Sequence, residues 1–166
     1  MTVSTLGVPS RLGAASEGGE MADGWLDEVG YDECLEYLRD RSVGRIAVVV
    51  DDAPVVVPVN YRLVETSGPT WVALRTRSRN LIDHVPAKVA FEIDDVDTAR
   101  DEGWSVQVRG TLLRVDPDAA EFRERFDPRP WVADRDAWLV IEPFAVTGRR
   151  LRSTAPGWLF DPGAHG

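Results

Sequence analysis

Tyr31, Cys34, Leu35 and Leu38 stand at i, i+3, i+4 and i+7, with charged residues between them. That spacing puts one apolar stripe on a short helix. Ser42-Val43-Gly44 breaks it. The pattern then changes period. Arg45 to Val50 is a β-branched run and reads as a strand; Asp51 to Pro54 reads as a turn; Val55 to Leu63 reads as the second arm of a hairpin. Pro58 lies inside that second arm and has no N–H to donate, so it marks an edge or a bulge. Bulges re-aim side chains, which draws attention to the following Asn60 and Tyr61.

Thr66 to Pro69 is a turn, and Thr70 to Thr76 a third strand. Ser78 to His84 reads as a short helical crossing that stops before Pro86. Lys88 to Asp94 alternates, with Val89, Phe91 and Ile93 on one face. Gly103 to Val115 forms a long strand with Trp104, Val106, Val108 and Leu112 on one face, and Gly110 permits a bend. Asp116-Pro117-Asp118 reads as a helix start, with Asp116 as N-cap and Ala119, Phe122 and Phe126 as the apolar stripe. Ala137 to Val146 is the last strand, with Pro143 at another edge or bulge. About six strands in consecutive hairpins, without alternating helical crossovers, predict a mainly β fold: an antiparallel barrel with a few short peripheral helices.

Composition sets the limits. The 166 residues suit one domain, and 43% hydrophobic content is that of a folded, soluble chain. Residues 1–24 are rich in Gly, Ser and Ala without apolar periodicity, so they read as a disordered leader; 25–151 is the domain, and 152–166 a tail in which Trp158, Leu159 and Phe160 could dock. The net charge of -9 argues against nucleic acid and anionic membranes as partners. A single cysteine, Cys34, allows no intrachain disulfide, and it sits in the helix stripe as a structural thiol. Two histidines, His84 and His165, are too few for a His-rich metal site, and no metal is expected. With no secretory signal and no run near the roughly 18 apolar residues of a span, the expected location is cytoplasmic.

No Rossmann fingerprint, P-loop or nucleophile elbow is present. What stands out is a set of dispersed segments. They are Glu33-Cys34-Leu35, Gly44 to Val48, Pro54, Pro58-Val59-Asn60-Tyr61, Arg75-Thr76 and Val89 to Glu92. Gly103-Trp104-Ser105-Val106, Val108-Arg109-Gly110, Trp138, Ile141, Pro143 and Thr147 to Arg150 follow. In this order and spacing, from about Asp27 to Leu151, the chain resembles the pyridoxamine 5'-phosphate oxidase-like, FMN-binding split-barrel proteins of the small actinobacterial type.

The resemblance implies a six-stranded split barrel that forms a homodimer, with FMN in clefts at the dimer interface. It places Arg75 and Thr76 on the flavin phosphate, which a guanidinium grips in bidentate fashion. It places Asn60 and Tyr61 along the isoalloxazine and ribityl chain, and Ser105 as a polar contact flanked by Trp104. The sequence departs from the family pattern where Asn80 stands in place of a phosphate-binding lysine, with Arg79 next to it as the compensating cation. It departs again at Val140, where relatives often carry arginine.

The leading expectation is therefore an FMN-dependent oxidoreductase acting on a small molecule stacked on the flavin, with catalytic side chains unassigned. The alternatives are a degenerate, non-enzymatic module that binds flavin or nothing, and a deazaflavin-dependent reductase. No dedicated basic cluster for a second phosphate is legible, which speaks against pyridoxamine-phosphate oxidation itself.

Overall fold

The computed structural model describes residues 25–65, 68–116 and 118–152. The leader, the tail beyond Arg152 and part of the 66–69 turn lie outside the described residues. In chain order the elements are β1 (Trp25–Val29), α1 (Tyr31–Asp40), β2 (Val43–Val50), β3 (Ala53–Val64), β4 (Trp71–Thr76), β5 (Ala87–Asp97), β6 (Glu102–Arg114), α2 (Ala120–Arg125) and β7 (Ala137–Arg152).

The strands run in the order β1-β7-β4-β3-β2-β5-β6, and β6 pairs back onto β7. That last pairing closes β2 to β7 into an antiparallel six-stranded barrel, as expected, with β1 as an added seventh strand outside the ring. β7 makes the closure possible by forking. Its first part, Ala137 to Ile141, pairs with β4, and its last part, Gly148 to Arg152, pairs with β1. β6 runs along nearly its whole length. The register shifts at Arg109/Gly110, where Ala145 and Pro143 are successive partners and Phe144 is left over. This bulge beside Pro143 bends β7 between its β4-paired and β1-paired parts. Pro58 also falls where its missing donor costs nothing: β4 reaches β3 only from Tyr61 to Val64, so Pro58 has β2 alone as a neighbour.

The barrel core is built from the alternating residues read in the sequence. Ile46, Leu74, Phe91, Ile93, Val106, Val108, Leu112, Leu139 and Ile141 are essentially inaccessible. Each such side chain contributes roughly 1.5–3 kcal/mol relative to exposure. α1 lays Cys34, Leu35 and Leu38 against this core. A second, smaller cluster lies on the outer face of β4 and β7, where Val64, Ala73 and Val140 meet Phe126 and Phe122. Val140, the departure from the family pattern, is thus a buried contact for α2 and the residue that follows it.

Two local expectations need correction. The 78–84 segment is a pair of turns, not a helix: Asn80 N–H donates to Arg77 O and Asp83 N–H to Asn80 O. Arg79 has a left-handed backbone (φ 60°) and gives its N–H to the Asp83 carboxylate, which interrupts helical bonding. Asp116 is not the N-cap of α2. Its Oδ1 accepts the Asp118 N–H in a local turn at 2.8 Å, and the helix begins after Ala119. The structure also adds β1 and extends β7 six residues past the expected Val146, to Arg152.

Candidate functional site: a cavity at the end of β4

Arg75 and Thr76 are the last residues of β4, and the turns after them carry Asn80 and Ile82 back beside β3. Opposite lies the 126–136 segment that joins α2 to β7. Together they enclose a cavity of about 410 Å³. Val57, Pro58, Val59 and Asn60 supply its β3 wall, Arg75, Thr76, Asn80 and Ile82 its floor, and Pro130, Trp131, Val132 and Arg135 its outer lip. The volume is in the range of small-molecule sites, and the lining has their usual character: mostly apolar, with a few convergent polar groups. Among the described residues no carboxylate lines it, and the two charged lining residues are arginines.

The polar groups are held in place. Arg75 Nε and Nη2 donate to the Arg135 carbonyl at 3.0 and 2.7 Å, and Nη1 donates to the Asp127 carboxylate at 3.1 Å. The guanidinium also lies 4.7 Å from the Trp138 ring centre. A guanidinium has five N–H groups, so at least one remains for a ligand. Thr76 is almost wholly buried, and its Oγ1 accepts Asn80 Nδ2 at 3.0 Å. Asn80 Oδ1 accepts the Leu81 N–H. Asn60 Oδ1 accepts the Trp131 N–H at 3.0 Å and ties the outer lip to β3.

Four of the residues expected from the sequence, Asn60, Arg75, Thr76 and Asn80, therefore meet in one cavity. The others do not join them there. Tyr61 points into the barrel: its ring packs edge-on against Phe91, and its hydroxyl donates to Leu38 O at 2.7 Å, satisfying a carbonyl in the last turn of α1. Burial pushes its phenol well above the usual tyrosine value; Arg41 opposes and Asp40 adds to this. The Arg79 side chain is exposed and is not part of the lining. Trp104 stacks on Tyr37 at 4.1 Å and lines a separate cavity of about 540 Å³ with Arg150 and Arg152. Ser105 faces Asp94 and Arg149 across its neighbouring strands. Cys34 is buried, which raises its thiol with help from Glu33, so it is a packing residue, not a nucleophile.

The sequence reading missed Trp131 and Arg135. Arg135 is the second arginine that lines the cavity. Trp131, 79% exposed between Pro130 and Val132, was the available clue: a large aromatic in a proline-stiffened loop with no core to join.

A flavin requires an apolar slot for its ring and donors for its phosphate. The valine wall meets the first requirement, and Arg75, Arg135, Thr76 and Asn80 meet the second, so the residues present fit the group.

Among the described residues, no helix is long and apolar enough to cross a membrane. A family model for pyridoxamine 5'-phosphate oxidase matches residues 31–150. The uncharacterized protein Rv0080 of Mycobacterium tuberculosis is 33% identical over 132 residues, covering 75% of this chain and 84% of that one. Two solved structures are each 28% identical. A FAD-binding protein of Mycobacterium smegmatis aligns with a TM-score of 0.57, over 77% of this chain and all of that one. A conserved protein of unknown function from Corynebacterium diphtheriae aligns with a TM-score of 0.63, over 75% of this chain and 96% of that one. A barrel closed through β7, an arginine-threonine pair at the end of β4 and a family match spanning almost the whole barrel agree: this chain belongs to the pyridoxamine 5'-phosphate oxidase family.

Proposed function

We propose that the chain binds FMN in the β4 cavity and acts as a flavin-dependent oxidoreductase on a small molecule. The observation that carries this reading is the convergence of Arg75, Thr76, Asn80 and Arg135 at one end of a valine-walled cavity. The phosphate lies against the Arg75 and Arg135 guanidinium groups, the first of them held by the Arg135 carbonyl. The ring lies along the half-buried Val57 and Val59. Once bound, the flavin supplies the transfer of reducing equivalents, and the protein supplies position and electrostatics. The FAD-binding character of the M. smegmatis relative supports a flavin of either size.

We further propose a homodimer with the substrate in the shared cleft. Trp104 and Ser105 line no part of the β4 cavity, and a second copy is the simplest way to bring them to the same flavin. Val43, Val56, Trp131 and Val132 are all exposed apolar residues on the β2–β3 hairpin and the lip, a surface suited to such burial.

One observation favours a second reading, a module that has lost the cofactor: Arg75 already has an internal carboxylate partner, and Asn80 gives no charge. Titration with FMN, followed by flavin fluorescence, separates the two. The proposal expects saturable binding that Arg75→Ala weakens about tenfold or more. A wild-type chain that binds neither FMN nor FAD overturns it, and binding of a deazaflavin alone reassigns the cofactor.

A further inference from the structure

Three exposed apolar side chains form one row across the sheet, on the side of the molecule away from the β2–β3 hairpin tip. Leu26 of β1 stands directly opposite Leu151 of β7, Leu151 opposite Gly103 of β6, and Gly103 opposite Val96 of β5. Residues directly opposite in an antiparallel ladder share a face, so the row lies on one face of four consecutive strands. Leu26 is 60% exposed, Leu151 53% and Val96 63%. One exposed leucine needs no explanation, but a contiguous row does. Two residues along on the same face, Glu28, Arg149, Ser105 and Asp94 stand opposite one another, so the apolar band ends there. In the middle of the row Gly103 leaves a gap. Neighbouring strands are about 4.8 Å apart, so Leu151 and Val96 flank this gap at roughly 10 Å from each other. A Cβ on Gly103 would stand 3.5 Å from Val96 Cγ2, so the valine methyl bounds the gap. A strand glycine flanked in this way admits an aromatic ring onto its backbone.

The sequence supplies such a ring close by. Residues 153–166, outside the described residues, follow directly on Arg152, next to Leu151 of the row. Ser153 to Gly157 carry no charge and end in a Pro-Gly pair, which favours a reversal of the chain. Trp158, Leu159 and Phe160 come next. From Arg152 to Trp158 the chain spans up to about 20 Å, twice the roughly 10 Å from Leu151 to Val96. We infer that Trp158-Leu159-Phe160 close back on this row, with the Trp158 indole over Gly103 between Val96 and Leu151, and Phe160 toward Leu26. Both surfaces are apolar, so their contact removes each from water. The short tether makes this occupant win over a second copy of the chain, because it holds the segment at an effective concentration on the order of millimolar. The inference stands apart from the flavin reading above and uses no residue of the β4 cavity.

The test uses the full chain, labelled at its valine and leucine methyl groups and followed by NMR. Nuclear Overhauser contacts are expected from the Trp158 indole protons to the Val96 and Leu151 methyls. Trp158→Ala is expected to abolish those contacts and to move both methyl resonances downfield, because the ring current above them is lost. Phe160→Ala is expected to move the Leu26 methyls in the same way. Val49, exposed on the β2–β3 hairpin, controls for a general change in the fold and is expected to stay in place in both variants. Row methyls that neither variant moves overturn the inference, as do Trp158 contacts to a different face of the barrel. Row resonances that change on dilution and are the same in Trp158→Ala assign the row to a second copy and overturn it as well.

Discussion

Asp127 holds Arg75 through a 3.1 Å bond across 52 residues of sequence, so the cation best placed for a phosphate carries an internal anion. A bound phosphate and this carboxylate compete for one guanidinium. Asp127→Asn removes the competing charge but keeps an amide oxygen for the Arg129 N–H. Its expected effect is an FMN affinity raised about threefold to tenfold, the difference between a charged and a neutral hydrogen bond. Both side chains are partly exposed, so the stability cost is small, about 0.5–1 kcal/mol. Fluorescence titration beside a urea melt measures both quantities, and weakened FMN binding would show that Asp127 positions Arg75 instead of competing for it.

Tyr61 serves the barrel and not the cavity. Tyr61→Phe leaves Leu38 O without its donor and is expected to cost about 1–2 kcal/mol, with FMN affinity unchanged. The hydroxyl also sets a pH dependence. Burial raises its folded-state pKa, so its contribution is fully present below about 10, the ordinary tyrosine value, and is lost as pH rises beyond it. Urea midpoints between pH 9 and 11 are expected to fall more steeply for the wild type than for Tyr61→Phe; parallel curves would contradict this.

Gly148 is where β7 passes beneath α1. A Cβ there would stand 2.5 Å from Cys34 Sγ and 2.7 Å from Val29 Cβ. Gly148→Ala is therefore expected to destabilise by about 1–3 kcal/mol through overpacking. Adding Cys34→Ala removes the sulfur but not Val29. A double-mutant cycle should show the pair costing less than the sum of the singles, and strict additivity would mean that the sulfur is not the obstacle.

Asp136 pins the turn after β4 to the start of β7: its carboxylate accepts the Ser78 N–H at 2.8 Å and the Ser78 hydroxyl at 2.7 Å. These bonds, the Ser78 backbone bond foremost, lower its pKa. A lowered carboxylate contributes above its unfolded value and loses that contribution as pH falls through the folded value. The Ser78 amide resonance should hence titrate with a midpoint below about 3.9, the ordinary aspartate value. Asp136→Asn should abolish that titration; its persistence would point to another acid.

The elements that were legible in the sequence are those whose pattern is local. The α1 stripe, the β2–β3 hairpin and the alternation of Val89, Phe91 and Ile93 each repeat within a few residues, because burial on one side of a regular element imposes its period on the chain. The Arg75-Thr76 pair and Asn60 were legible as polar groups placed at strand positions next to a proline or a turn. The 78–84 segment misled for a related reason: its composition suits a helix, and only the left-handed backbone at Arg79 and the Asp83 carboxylate decide for turns.

Other features depended on partners far along the chain. β1 is five residues with no clear period, and it is a strand because β7 is beside it. Residues 147–152 of β7 look too polar for a strand, and are one because β6 and β1 satisfy their backbone on both sides. Arg135 and Trp131 reach the cavity because the 126–136 segment folds back beside β3. The sequence by itself determined the class of fold and most of its strands, since these follow from short-range periodicity, and it put Arg75 and Thr76 together at the end of one strand. Tertiary structure alone decided which strand closes the barrel, which arginines meet and which are already paired, because those depend on distances between residues that the linear order leaves unconstrained.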